Sequence, residues 1–116
     1  MDETPPILAV VFYKTSTGNE PVRAWLLNLD GDDRRTIGND IKTAQYGWPL
    51  GMPLIRKLEP GLWEVRSRVR DGTARVVFTV EGGIMILLHA FVKKTQKTTL
   101  RDLEVARRRL ANLRNG

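Results

Sequence analysis

The sequence predicts an α+β fold in which one strand, two helices, three strands and a closing helix follow one another within a single domain spanning residues 1–116. Three observations carry this. A short β-branched run opens the chain at residues 7–13, helical periodicity follows it to Gly47, and an alternating pattern then runs to Val92 before a last helical stretch.

Ile7-Leu8-Ala9-Val10-Val11-Phe12-Tyr13 is rich in β-branched and aromatic residues and fenced by Pro5-Pro6 and Ser16-Thr17-Gly18-Asn19, which predicts a strand. Asn19 offers a helix cap with Pro21 in the first turn, and Val22, Trp25, Leu26 and Leu29 recur at helical spacing. Asp30-Gly31-Asp32-Asp33 interrupts the pattern. A second helix with Ile37, Ile41 and Ala44 on one face then stops at Gly47, and the two form a helical hairpin that packs on a sheet. Beyond the Trp48–Pro53 connector, residues 62–70 place Trp63, Val65 and Val69 on one face and Glu64, Arg66, Arg68 and Arg70 on the other. Asp71-Gly72 turns into Thr73–Val80, Glu81-Gly82-Gly83 turns again, and Ile84–Val92 is apolar enough for a strand covered on both faces. Thr98 or Thr99 caps a final helix whose Leu103, Ala106, Leu110 and Leu113 share one side. Its acidic residues come early and its arginines late, as the helix dipole favours.

Composition narrows the chemistry. With no cysteine and one histidine, the chain has no disulfide framework, thiol nucleophile or His-rich metal cluster. No apolar run approaches the roughly 20 residues of a membrane span, and the Met-Asp-Glu-Thr-Pro-Pro start is acidic where a signal peptide is basic. The expectation is a cytoplasmic protein with no membrane partner and no cofactor. Net charge is +6, but residues 1–55 sum to −2 and residues 56–116 to +8. Such a one-sided field favours a polyanion, nucleic acid first.

A two-residue Asp71-Gly72 loop sets Arg68 opposite Arg75 and Val65 opposite Phe78. Facing like charges cost up to about 1 kcal/mol, so they are splayed into water or used on an anion. A three-residue turn at Glu81-Gly82-Gly83 sets His89 opposite Arg75. Arg66, Arg68, Arg75, His89, Phe91 and Lys93 then share one surface with Lys94 and Lys97 at its rim, whereas a two-residue Gly82-Gly83 loop turns His89 into the core. Arg56 and Lys57, just ahead of the hairpin, join the residues assigned to RNA. Guanidinium groups clamp phosphate, lysines add mobile charge, and an aromatic ring such as Phe91 can stack an unpaired base. Metal-free RNA cleavage then needs a base for the 2′-hydroxyl, cations for the phosphate and an acid for the departing 5′-oxygen. His89 and the lysines are the candidates.

Leu62-Trp63-Glu64-Val65-Arg66, Arg75-Val76-Val77-Phe78, the run Leu87-Leu88-His89-Ala90-Phe91-Val92-Lys93-Lys94-Thr95-Gln96-Lys97-Thr98 and the Glu104-Val105-Ala106-Arg107 helix resemble the RelE/ParE superfamily of toxins. The likeness is closest to the HigB-type, phage-derived branch of type II toxin–antitoxin systems. It implies a RelE-like βααβββ fold, an antiparallel-rich sheet with two N-terminal helices on one face and a C-terminal helix. It further implies a ribosome-dependent mRNA endoribonuclease that acts on mRNA at the ribosome's small-subunit RNA and is neutralised by a helix-turn-helix antitoxin. Arg66, Arg75, Phe91, Lys93 and Lys94 fall where such toxins place residues used on mRNA. Thr99 replaces the family's usual proline, and either residue can start a helix. Two other classes stand beside this one: a ParE-like inhibitor of DNA gyrase without nuclease activity, and a non-catalytic nucleic-acid-binding protein.

Overall fold

The structure is a computed structural model that describes residues 5–95 and 97–116; the acidic Met1–Thr4 and Gln96 of the lysine-rich block lie outside them. The chain runs β1 (Ala9–Phe12), α1 (Pro21–Leu27), α2 (Gly31–Gly47), β2 (Ile55–Glu59), β3 (Leu62–Val69), β4 (Gly72–Glu81), β5 (Ile84–Lys93) and α3 (Leu100–Asn115). Its sheet has the order β1-β5-β4-β3-β2, with β1 parallel to β5 and every other pair antiparallel.

The α+β architecture is as the sequence predicts, apart from one additional strand, β2. Its burial explains why alternation misses it. Ile55 joins the core under α1 and α2 whereas Leu58, three residues on and so on the opposite face, packs on the α3 side, and one apolar residue per face leaves no run of alternation to read. The first strand is shorter than its apolar run: the Ile7 and Leu8 amides donate to the Gln45 carbonyl at the end of α2, at 2.9 and 3.1 Å. Asn19 closes the preceding loop, its amide donating to Thr15 Oγ1 at 3.1 Å, and Glu20 takes the N-cap position of α1.

Each face of the sheet has its own core. On one, Val22 of α1 and Ile37, Ile41 and Ala44 of α2 pack on Val65, Ala74, Val76, Phe78, Met85 and Leu87. On the other, Ala106 and Leu110 of α3 pack on Leu62, Val77, Ile86, Leu88 and Phe91. The helical hairpin and α3 therefore sandwich the sheet.

Both hairpin registers differ from expectation. Val69 pairs with Gly72, so the first loop is Arg70-Asp71; Arg66, not Arg68, faces Arg75, and Trp63 faces Phe78. Gly72 has φ +141, and a Cβ there would sit 2.6 Å from the Lys93 carbonyl oxygen, so close contact with β5 places glycine inside the strand pair rather than in the turn. In the second hairpin Glu81 pairs with Ile84 across Gly82-Gly83, both at positive φ, as a two-residue loop requires. That loop alone would carry His89 to the helical-hairpin side. A bulge restores it: Phe78 pairs with Leu87 and Val77 with His89, which leaves Leu88 as the extra residue and returns His89 to the α3 face. His89 consequently faces Val77, and Phe91 faces Arg75.

Candidate functional site

On the α3 face the register lays the candidate residues out in three rows. Arg56, Glu64, Val77 and His89 form the first, Arg66, Arg75 and Phe91 the second, and Arg68, Thr73 and Lys93 the third. Lys94 and Lys97 follow on the exposed connector between β5 and α3. Arg66, Arg68, Arg75, His89, Phe91 and Lys93 therefore do meet at one end of the sheet. Lys57 does not; it pairs with Trp63 and lies over that ring at 5.9 Å, on the face that carries the helical hairpin.

Burial separates the roles within this group. Arg75, a member of the basic surface the sequence predicts, is 0% exposed, roofed by the connector. Its Nη2 donates to the Thr95 carbonyl at 2.5 Å and its Nη1 to Thr98 Oγ1 at 3.2 Å, and the Thr98 hydroxyl in turn donates to Glu64 Oε1 at 2.6 Å. Glu64, also fully buried, has Oε2 at 4.0 Å from both Arg75 Nη1 and Arg66 Nε. One carboxylate thus offsets the two facing arginines, which resolves the like-charge conflict without splaying either into water. Burial pulls the Arg75 pKa below the usual guanidinium value, against the pull of Glu64. Arg75 is a strut that fixes the lysine-bearing connector, with its guanidinium buried beneath it.

His89 sits one row away. Its Nε2 lies 2.8 Å from Asp102 Oδ1, and both side chains keep a little solvent access, 17% and 16%. Asp102 also accepts the Thr99 hydroxyl proton at 2.6 Å, while its own amide donates to Thr99 Oγ1 at 3.2 Å as the cap of α3. Burial is the largest single influence on Asp102 and opposes ionisation, but hydrogen bonds from His89 and Thr99 and the charges of His89 and Lys93 together hold its carboxyl below the ordinary range. An ionised carboxylate only accepts, so His89 Nε2 carries a proton toward it, and in the neutral imidazole Nδ1 is the nitrogen that holds the lone pair. Phe91, expected to stack an RNA base, is buried and stacks instead on His89, centroids 5.4 Å apart.

Sequence reasoning overlooked Glu64, Thr95, Thr98 and Asp102 as parts of this cluster. Glu64 was visible as a lone acid on a strand face of arginines; Asp102 read as a helix-dipole residue. Thr99 does more than start a helix, since a proline there has no hydroxyl to donate to Asp102. Among the described residues no group of three or more carboxylates or histidines gathers to hold a metal ion, and no helix is long and apolar enough to cross a membrane.

Comparison with known proteins gives one family. Residues 24–111, well over half of the chain, match the profile of the phage-derived protein Gp49-like family (DUF891). No curated protein matches.

Proposed function

The chain belongs to the Gp49-like family of phage-derived proteins, a RelE/ParE-like toxin family related to RelE-type endoribonucleases, and from that premise we propose that it is a type II toxin that cleaves mRNA on the ribosome. One observation carries this reading: the only histidine is tethered through Nε2 to an ionised carboxylate, on the sheet face that also bears Arg66 and Lys93.

In the proposed reaction His89 Nδ1 takes the proton of a ribose 2′-hydroxyl. The 2′-oxygen attacks the adjacent phosphorus, the bond from phosphorus to the 5′-oxygen breaks, and the Lys93 ammonium supplies a proton to that leaving oxygen. The products are a 2′,3′-cyclic phosphate and a 5′-hydroxyl end. Arg66 holds the charge that develops on the phosphate, and Arg56, Arg68, Lys94 and Lys97 hold flanking phosphates. Asp102 orients the imidazole and Phe91 supports its ring. A cationic surface with a single imidazole gains most when another particle orders its substrate, which is the ribosome's part and makes naked RNA a poor substrate.

Family membership implies an antitoxin partner in general. We assign that partner to a helix-turn-helix protein that docks against the basic second half of the chain, in the cytoplasm where ribosomes are. Inducing the chain alone should arrest growth and create new 5′ ends within translated messages, and co-expressing the neighbouring open reading frame should restore growth. Intact messages beside damaged DNA would instead favour a gyrase inhibitor.

A further inference from the structure

A second polar feature lies outside this cluster, where β2 stops short. Pairing of β2 with β3 begins at Ile55 opposite Val65, and the connector adds one more bond, from the Arg66 amide to the Leu54 carbonyl at 2.8 Å. Strand alternation directs the Arg68 amide and carbonyl to the same side, where no strand continues. The gap is a cavity of about 480 Å³ lined by Asp40 of α2, Met52, Pro53, Leu54, Ser67 and Thr73, with Arg66 and Arg68 beside them.

Two side chains there have unmet bonding capacity. Ser67 is 1% exposed, and its buried Oγ has no hydrogen-bond partner. Asp40 is half-buried, and among the described residues its carboxylate enters no hydrogen bond or ion pair. A buried hydroxyl without a partner costs free energy, which a ligand that bonds it recovers. The remaining walls are apolar at Met52, Pro53 and Leu54. Apolar walls, polar groups for an edge and two adjacent guanidinium groups together fit one nucleotide of a strand: flat faces to pack, an edge to bond and a phosphate to neutralise.

We propose that this pocket is a base-recognition subsite selecting guanine. A carboxylate offers two acceptor oxygens at fork spacing, and guanine presents parallel donors at N1 and N2 on its Watson–Crick edge. Adenine and cytosine present one amino group beside an acceptor that a carboxylate repels, and uracil presents one N–H between two carbonyls. Asp40 therefore discriminates, Ser67 and the Arg68 backbone bond the remaining edge atoms, and Arg66 links the pocket to the cleavage site. The inference deepens the RNA-cleaving reading and rests on it for the source of the base.

Calorimetric titration of the purified full chain with 5′-GMP and 5′-UMP tests this directly. GMP should bind about tenfold more tightly or better, the discrimination expected of one bidentate base contact. The Asp40→Asn variant should bring the two affinities together, and Ser67→Ala should weaken GMP without lowering the melting midpoint. Equal wild-type affinities, or a preference that survives Asp40→Asn, would overturn the subsite. So would an extended peptide that protects the Arg68 amide from hydrogen exchange where GMP does not, since the open edge then serves strand addition. The two readings fail separately: ribosomal cleavage with no GMP preference removes only the subsite, and GMP preference with no cleavage removes only the nuclease.

Discussion

The two faces of the sheet are built from the same strands and do different work. Under α1 and α2 the face is dry, closed by Val22, Ile37, Ile41 and Ala44 against Val65, Val76, Phe78 and Leu87. Under α3 the apolar contact covers only part of the sheet, and beyond it lie Glu64 and Arg75, bridged by the Thr98 hydroxyl, and His89 bonded to Asp102. The contrast teaches that one face supplies stability and the other spends some of it on holding charges in place. Among the described residues most buried side-chain atoms without a partner follow this division: Glu64 Oε2, Arg75 Nε and Thr79 Oγ1 lie on the α3 face, and Ser67 Oγ lies on the other.

Substitutions break the comparison in order of size. Phe78→Ala, on the dry face, should cost about 3–5 kcal/mol through loss of a fully buried ring, read as a lowered denaturant midpoint. Arg75→Ala on the polar face should cost a similar amount, about 3–5 kcal/mol, because it removes one of the two guanidinium groups that offset the buried Glu64 carboxylate and empties the space the fully buried side chain fills. It should abolish activity only by unfolding the site, and a near-normal melt with lost activity would return Arg75 to the chemistry. Thr99→Ala should cost less, about 1 kcal/mol, by removing the cap of α3 together with the bond to Asp102.

Acid sharpens the contrast further. The Asp102 carboxyl is held below its ordinary value in the folded chain, so its contribution to stability is complete above the unfolded aspartate range of about pH 4 and is lost as pH falls through the folded value. Asp102→Asn should therefore be less stable at neutral pH and lose less stability on acidification, which a pair of melting curves against pH checks. The smallest effect belongs to Lys93→Ala, expected to leave stability within about 0.5 kcal/mol while ending cleavage.

Periodicity made the helices, β3 to β5 and the helical-hairpin core legible, because each follows a local rule of 3.6 or 2. What escaped has no such run behind it. β2 carries one apolar residue on each face, Ile55 and Leu58, and a bulge in β5 returns His89 to the α3 face although its Gly82-Gly83 loop points it toward the core. The gathering of Arg66, Arg75 and Lys93 was readable as a basic strand face, but the division of labour was not. Arg75 becomes a strut only because the connector folds over it, bringing Thr95 and Thr98 back from 20 and 23 residues away.

In the proposed mechanism His89, held by Asp102, activates a 2′-hydroxyl on ribosome-bound message. Incubating purified ribosomes carrying a defined mRNA with the wild-type chain, and with a message bearing a 2′-deoxy sugar at the mapped site, tests it most directly. Cleavage should leave a 2′,3′-cyclic phosphate on the unmodified message, and there should be none at the deoxy position and none by a folded His89→Asn variant. Cleavage that persists at the deoxy sugar, or in that variant, would contradict it.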